Sequence, residues 1–149
     1  MRAVAAVLLA MLVGCSANDE KPAVTTVVFD GKTYTINGQV SCANQVDGTL
    51  LISAAEGNKK LIRVQLGQEN RLLVKRAGFR YMAVNGFTND PNEAWATKVD
   101  GTYTISGRMP PDEGQTAAHQ FKIEVTCARI EEYRPTPHRA ADMPRLPRT

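Results

Sequence analysis

The sequence predicts an all-β fold, either an antiparallel β-sandwich or a partly open barrel of short strands linked by hairpins. The central part of the chain is rich in Val, Thr, Ile and Tyr, which favour strands. Three Asp-Gly pairs, a dipeptide typical of tight hairpin turns, begin at Asp30, Asp47 and Asp100. Residues 121–127 alternate strictly between apolar and polar side chains, the period of a strand with one buried face. No segment has the apolar period of a long helix.

The predicted strands follow one another closely along the chain. The first hairpin turns at Asp30 and Gly31, and the last strand ends at Cys127, which points toward the core. Cys42 also lies on the inward face of its strand. In chain order we expect strands at residues 27–29, 32–36, 40–42, 50–52, 61–66, 71–75, 79–84, 103–105 and 121–127.

Interruptions of the strand pattern predict bends and loops. Gly38 and Gly107 lie inside otherwise continuous strand patterns, which favours bulges or sharp bends at these positions. Long loops are expected at residues 85–94 and 110–119, and the second loop contains a short stretch, 113–119, that is compatible with a single helical turn.

The amino terminus has the features of a bacterial lipoprotein signal peptide, predicted over residues 1–14. Arg2 precedes an apolar run of eleven residues, well short of the roughly 20 that a membrane-spanning helix needs. The run ends in Leu-Val-Gly-Cys at residues 12–15, with an aliphatic residue three places before Cys15 and a small residue directly before it. This lipobox predicts a thioether-linked diacylglycerol and an N-terminal acyl chain on Cys15. An ordinary cysteine after a secretory signal is the alternative.

The predicted lipid anchor indicates where the mature protein resides and how the segments of the chain are arranged. Two or three acyl chains hold a protein stably in a membrane, since each buried methylene contributes about 0.8 kcal/mol. We therefore expect a protein anchored on the extracytoplasmic face of the cell membrane, with a flexible linker at residues 15–23, a β domain at 24–130 and a disordered tail rich in Pro and Arg at 131–149. Residues 16–23 reach at most about 28 Å, so the domain stays near the membrane.

Two cysteines remain once Cys15 carries the lipid. Cys42 and Cys127 are an even pair outside the cytoplasm, which predicts one disulfide. On a chain-entropy model, closing this loop removes about 4 to 5 kcal/mol of unfolded-state freedom. Two buried reduced cysteines are the alternative, and a metal site is less favoured because the only histidines are His119 and His138.

Charge and motifs argue against several function classes. The formal net charge of +3 does not indicate nucleic-acid binding, because the positive excess lies in residues 134–149. The chain lacks a nucleophile elbow, a phosphate-binding glycine loop and a histidine pair at metal spacing. His119, near Asp112 and Glu113, is the candidate general base, although a surface-loop histidine is the simpler interpretation. We expect no enzyme activity, no metal and no cofactor besides the covalent lipid.

Two groups of side chains have both a structural and a functional interpretation. Basic residues in the middle of the chain form either a solvated outer sheet face or a contact for anionic lipid headgroups or acidic glycans. These residues are Lys59, Lys60, Arg63, Arg71, Lys75, Arg76 and Arg80. Aromatic and Met side chains nearby are expected in the core, with a binding groove as the alternative. They are Phe79, Tyr81, Met82, Phe87 and Trp95.

Taken together, these features resemble the mycobacterial 19 kDa (LpqH-type) lipoprotein antigen family over about residues 25–127. The resemblance rests on the lipobox, the opening segment 27–32, the segment 38–42, residues 96–107 and the closing strand 121–127. It implies a secreted, triacylated and surface-exposed cell-envelope lipoprotein, whose acylated terminus is sensed by host Toll-like receptor 2. It also implies lipid on Cys15 and a disulfide between Cys42 and Cys127.

Two departures from the family pattern concern the ends of the domain. The linker is short and charged instead of long and rich in Ser and Thr, which argues against glycosylation, and the tail after Cys127 is unusually long and rich in proline. The leading hypothesis is a non-enzymatic surface or structural binding module, with the membrane, a host pattern-recognition receptor and envelope lipids or glycans as partners. A lipid or glycolipid carrier with an apolar cavity is the second hypothesis, and an envelope hydrolase that uses His119 is the third.

Overall fold

The structure, a computed structural model, describes residues 23–133, which form ten β-strands and no helix. The strands are β1 Val24–Phe29, β2 Lys32–Asn37, β3 Gln39–Asn44, β4 Leu50–Glu56, β5 Lys60–Gly67, β6 Leu73–Tyr81, β7 Val84–Thr88, β8 Ala94–Val99, β9 Thr102–Met109 and β10 His119–Thr126. Over these residues there is no helix of the length and hydropathy needed to cross a membrane. The predicted signal peptide, Cys15, most of the linker and the tail beyond residue 133 lie outside the described residues.

Two antiparallel sheets of five strands form a sandwich, which confirms one of the two predicted architectures. One sheet has the order β2-β1-β10-β9-β8 and the other the order β3-β4-β5-β6-β7. Along β10, Phe121, Ile123 and Val125 are buried and the residues between them face outward, as the alternating sequence predicts. The same alternation in most strands gives each sheet one apolar face, and the two apolar faces meet.

The space between the sheets is filled by side chains from both of them. Phe29 of the first sheet lies against Phe79 of the second, with ring centroids 4.7 Å apart, and Tyr34 packs on Phe79 and Tyr81. The largest side chains with almost no exposed surface include Tyr103, Ile36, Leu50, Ile52 and Ile62. A filled core of this kind argues against the carrier hypothesis, which needs an apolar cavity between the sheets.

The turn predicted at Asp30 and the bend predicted at Gly38 are present in the structure, whereas the bulge predicted at Gly107 is not. Asp30 and Gly31 both have positive φ, 48° and 78°, as the predicted hairpin turn requires. Gly38 lies at the bend where the chain leaves the first sheet and enters the second, and a Cβ atom there would overlap the carbonyl oxygen of Ala55. The bulge predicted at Gly107 is wrong, because the pairing register runs through it unbroken. The register shift lies instead between Gln65 and Leu66.

Edge strands account for most of the other differences from the prediction. The two strands predicted at residues 71–75 and 79–84 are the single strand β6. The predicted loop at 85–94 contains most of β7, and β8 was not predicted as a strand. Both are edge strands that bury few side chains, so their sequences lack a clear alternating pattern. The helical turn considered at 113–119 is wrong, since no helix forms there and His119 begins β10.

The chain after β10 crosses from the first sheet to the second. Glu131 pairs with Ala43 as a parallel bridge, and its backbone exchanges hydrogen bonds of 2.8 Å with Cys42 and Asn44. The Asn44 side chain also donates to Glu132, at 2.8 Å. Residues 131 and 132, the first two of the predicted tail, therefore cover the free edge of β3 and extend the pairing past the predicted boundary at residue 130.

Candidate functional site

A disulfide joins Cys42 to Cys127, as predicted, with their Cα atoms 5.9 Å apart. Cys42 lies in the edge strand β3 of one sheet, and Cys127 directly follows β10 in the middle of the other. The bond therefore holds the two layers of the sandwich together. It also shows that the alternative of two reduced cysteines is wrong.

A groove of about 480 Å³ lies on the outer face of the second sheet. At its centre is Gly78 of β6, which pairs with Arg63 of β5 on one side and Phe87 of β7 on the other. Arg76 and Arg80 stand two residues before and after Gly78 on the same face of β6. We call the four side chains Arg63, Arg76, Arg80 and Phe87 the arginine face. Gly78 lacks a side chain, so the centre of the arginine face is a depression.

The arginine face carries positive charge that the described residues do not compensate. No outward position of β3 to β7 is Asp or Glu. Within residues 23–133 no carboxylate lies within salt-bridge distance of Arg63, Arg76 or Arg80. Three exposed guanidinium groups around one depression create a positive potential, and their planar donors suit phosphate or carboxylate oxygens.

The remaining basic residues of the predicted cluster lie elsewhere. Lys60 contacts Glu56 at 2.6 Å, and this hydrogen bond raises the pKa of Lys60 and lowers the pKa of Glu56. Lys59 is exposed in the turn between β4 and β5. Arg71 and Lys75 line a second depression, of about 260 Å³, whose lining also contains acidic residues. The seven basic residues therefore form three separate groups. Three of the seven lie together on the outer sheet face that the sequence predicted.

The aromatic and Met residues divide between the core and the surface. Phe79 is buried and Tyr81 is partly buried, which confirms their predicted place in the core. The same prediction is wrong for Met82, Phe87 and Trp95, whose side chains are 57%, 54% and 60% exposed. Phe87 and Trp95 occupy outward positions of the edge strands β7 and β8, and Met82 lies at the β6–β7 turn, so none of the three can reach the core.

His119 lies between two carboxylates at one end of the first sheet. Its Nδ1 atom donates to Oδ2 of Asp30 at 2.6 Å, and its Nε2 atom is 3.6 Å from Oδ2 of Asp112. The ring also stacks on Phe29, with centroids 4.8 Å apart. The hydrogen bond to Asp30 raises the pKa of His119 and lowers the pKa of Asp30. The interpretation as a surface-loop histidine is wrong, because His119 is half-buried in a strand.

The surroundings of His119 are those of a structural ion pair. Sequence reasoning identified Asp112 but missed Asp30, because Asp30 reads as a turn residue and becomes a neighbour only through the pairing of β1 with β10. No hydroxyl of the described residues hydrogen-bonds the imidazole, and Cys42 and Cys127 are consumed in the disulfide. Within residues 23–133, no group of three His, Cys, Asp or Glu side chains could hold a metal ion. The hydrolase hypothesis therefore has a base without a neighbouring nucleophile.

Comparison with protein-family models gives a match over most of the chain. A family model described as the Mycobacterium 19 kDa lipoprotein antigen matches residues 18–127. The matched region begins shortly before β1 and ends at Cys127, so it includes both cysteines of the disulfide and all ten strands. A search of curated proteins finds no match.

Proposed function

The chain belongs to the mycobacterial 19 kDa lipoprotein antigen family, and from this premise we propose that it is a lipid-anchored cell-envelope protein whose β-sandwich is a non-enzymatic binding module. We propose Cys15 as the lipidated residue, carrying a diacylglycerol and an N-acyl chain. The anchor would hold the domain on the extracytoplasmic face of the membrane, where host receptors can sense the acylated terminus.

The disulfide is the observation that best supports this location. Disulfides persist outside the cytoplasm, and Cys42–Cys127 joins the two sheets of the domain. The lipobox at residues 12–15 and the family match from residue 18 support the same conclusion from the other end of the chain.

The surface chemistry supports binding over catalysis. His119 is hydrogen-bonded to Asp30, lies 3.6 Å from the carboxylate of Asp112 and has no hydroxyl partner among the described residues. The arginine face, in contrast, presents three cations to solvent, and among residues 23–133 no carboxylate lies within salt-bridge distance of them. Unpaired charge around a depression is a feature of a binding surface.

Intact-mass analysis of the native protein tests the proposed anchor. We expect a mature chain that begins at Cys15 and has the added mass of a diacylglycerol and an acyl chain. Cys15→Ser should abolish both the lipid and the partition into detergent, and should also abolish Toll-like receptor 2 signalling. Ser16→Ala is the matched control and should be acylated normally. An unmodified thiol at Cys15 in the native protein would contradict the proposal.

A further inference from the structure

The amino-terminal end of the domain lies beside the turn between β4 and β5. Val24, the first residue of β1, pairs with Asn37 at the end of β2. The backbone N–H of Asn37 donates to Oε2 of Glu56 at 2.9 Å, and Glu56 is the last residue of β4. The chain that arrives from Cys15 therefore enters the sandwich next to this turn of the second sheet.

The same end of the domain carries an exposed apolar tip. The backbone N–H of Met82, in the β6–β7 turn, donates to the carbonyl of Lys59 at 2.9 Å, so the two turns lie side by side. Met82 is 57% exposed and Lys59 is also exposed. Arg80 precedes Met82 by two residues, so the arginine face begins next to this tip and runs along the outer side of β5 to β7.

We propose that the arginine face and Met82 form a docking surface for the anionic phospholipid headgroups of the membrane in which the protein is anchored. This inference rests on the proposed lipid anchor at Cys15. The guanidinium groups of Arg63, Arg76 and Arg80 bind headgroup phosphates through paired N–H donors. Phe87 and Met82 enter the interface between headgroups and acyl chains, where amphipathic surfaces of this composition bind.

Because the domain is tethered to the membrane, weak contacts are sufficient for docking. The residues between Cys15 and Val24 reach at most about 28 Å, so the arginine face meets the membrane at a high effective concentration. Each arginine near an anionic surface strengthens the contact about fivefold. Neutral phosphatidylcholine also has a phosphate in its headgroup, but its choline ammonium group leaves the membrane surface without net negative charge, so docking is weaker there and depends on lipid charge.

A fluorescent label at the tip tests this docking in the full acylated protein. Ala83→Cys, beside Met82, provides a thiol for labelling, because Cys15 carries lipid and Cys42 is bonded to Cys127. The protein is reconstituted in phosphatidylcholine vesicles with and without phosphatidylglycerol, and nitroxide lipids in the vesicles quench the label. We expect stronger quenching at Ala83→Cys in the anionic vesicles. A label at Thr97→Cys, on the outer face of the other sheet, should give the same quenching in both lipids.

Charge variants identify the groups that are responsible. Arg63→Gln, Arg76→Gln and Arg80→Gln should each lower the docking equilibrium about fivefold, and the triple variant should give the quenching of neutral vesicles. Lys122→Gln, on the other outer face, should change nothing. Far-ultraviolet circular dichroism of each variant verifies that it is folded.

Two outcomes would overturn the inference. They are equal quenching in neutral and anionic vesicles, and docking that survives the triple arginine substitution. Intact mass measured on the same sample separates the two proposals. An acylated protein that does not dock refutes this inference alone, whereas a protein without lipid refutes the proposed anchor.

Discussion

The outer faces of the two sheets have the same architecture and different electrostatics. On the first sheet, Lys122 contacts Glu124 at 3.4 Å and Arg108 contacts Glu93 at 2.7 Å, so the outward cations of β9 and β10 have carboxylate partners. On the second sheet, the three arginines of the arginine face have none among residues 23–133. We infer that the outer face of the first sheet, which compensates its own charge, is a solvated surface.

The rest of the first outer face is equally self-contained. Thr26 and Thr104 lie on either side of Glu124 and pair with it, and Thr104 also pairs with Thr97. We call these three threonines and the Lys122–Glu124 pair the threonine face. Cross-strand polar pairs of this kind stabilise a sheet and need no ligand. We therefore infer that the binding surface is the arginine face and not the outer face of the first sheet.

Removing the disulfide should have the largest effect, because the bond fixes the two sheets, and hence the two faces, back to back. We expect Cys42→Ser with Cys127→Ser to lower the free energy of unfolding by about 2 to 5 kcal/mol. Denaturant unfolding measured under non-reducing conditions provides the value. Cys15→Ser should unfold as the wild type does, and an equal loss of stability in that variant would mean that the sheets do not depend on this bond.

The bend at Gly38 is the second connection between the sheets. A Cβ atom there would overlap the backbone of Ala55 in β4, so Gly38→Ala forces the bend and β4 apart. We expect a loss of about 1 to 3 kcal/mol in thermal or chemical unfolding. Thr33→Ala, at an exposed position of the preceding strand β2, is the control and should cost less than about 0.5 kcal/mol. Similar losses in both variants would show that the bend tolerates a side chain.

The pair Asp30 and His119 should make stability depend on pH. The raised pKa of His119 means that its contribution is full below the ordinary value of 6.5 and is lost as the pH rises through the raised pKa. The lowered pKa of Asp30 means that its contribution is present above 3.8 and is lost as the pH falls through the lowered pKa. The contribution is therefore greatest between these two ordinary values.

Asp30→Asn tests this contribution without disturbing the turn, because Asn also accepts positive φ. We expect a loss of about 0.5 to 1 kcal/mol near pH 5, reduced by the exposure of the Asp30 side chain, and a smaller loss near pH 9. Unfolding curves at the two pH values measure the difference. An equal loss at both would show that His119 does not titrate against Asp30.

Removing a single charge from either face should have a small effect on the free energy of unfolding, and the two effects should have opposite signs. Arg76→Gln removes a cation that has no salt-bridge partner among residues 23–133, so unfolding should be unchanged or harder by up to about 0.5 kcal/mol. Lys122→Gln removes the partner of Glu124, so unfolding should be unchanged or easier by a similar amount. Added salt should reduce both effects. Destabilisation by Arg76→Gln would indicate that the arginine face is already compensated.

The sequence was sufficient to predict the strands that bury every second side chain. Residues 121–127 and the turn at Asp30 could be predicted, because alternation and backbone preference are local properties. The edge strands β7 and β8 could not, since they contribute few side chains to the core. Phe87 and Trp95 were expected inside because aromatic residues usually are, yet their strands direct them outward.

The candidate sites were harder to predict because they depend on pairing between distant segments. The basic residues were recognisable, but only the register of β5, β6 and β7 shows that Arg63 lies across Gly78 from Phe87. The contact between Asp30 and His119 depends in the same way on the pairing of β1 with β10. Cys15 is the reverse case, since the lipobox can be read directly from the sequence.

Amide hydrogen exchange of the acylated protein in vesicles tests the contrast between the two faces most directly, because each sheet has one comparable edge strand, β7 or β8. With phosphatidylglycerol in the vesicles, we expect slower exchange in β7 and the β6–β7 turn than in phosphatidylcholine alone, and unchanged exchange in β8. Equal protection of both edges, or no difference between the two lipids, would contradict the assignment of membrane binding to the arginine face.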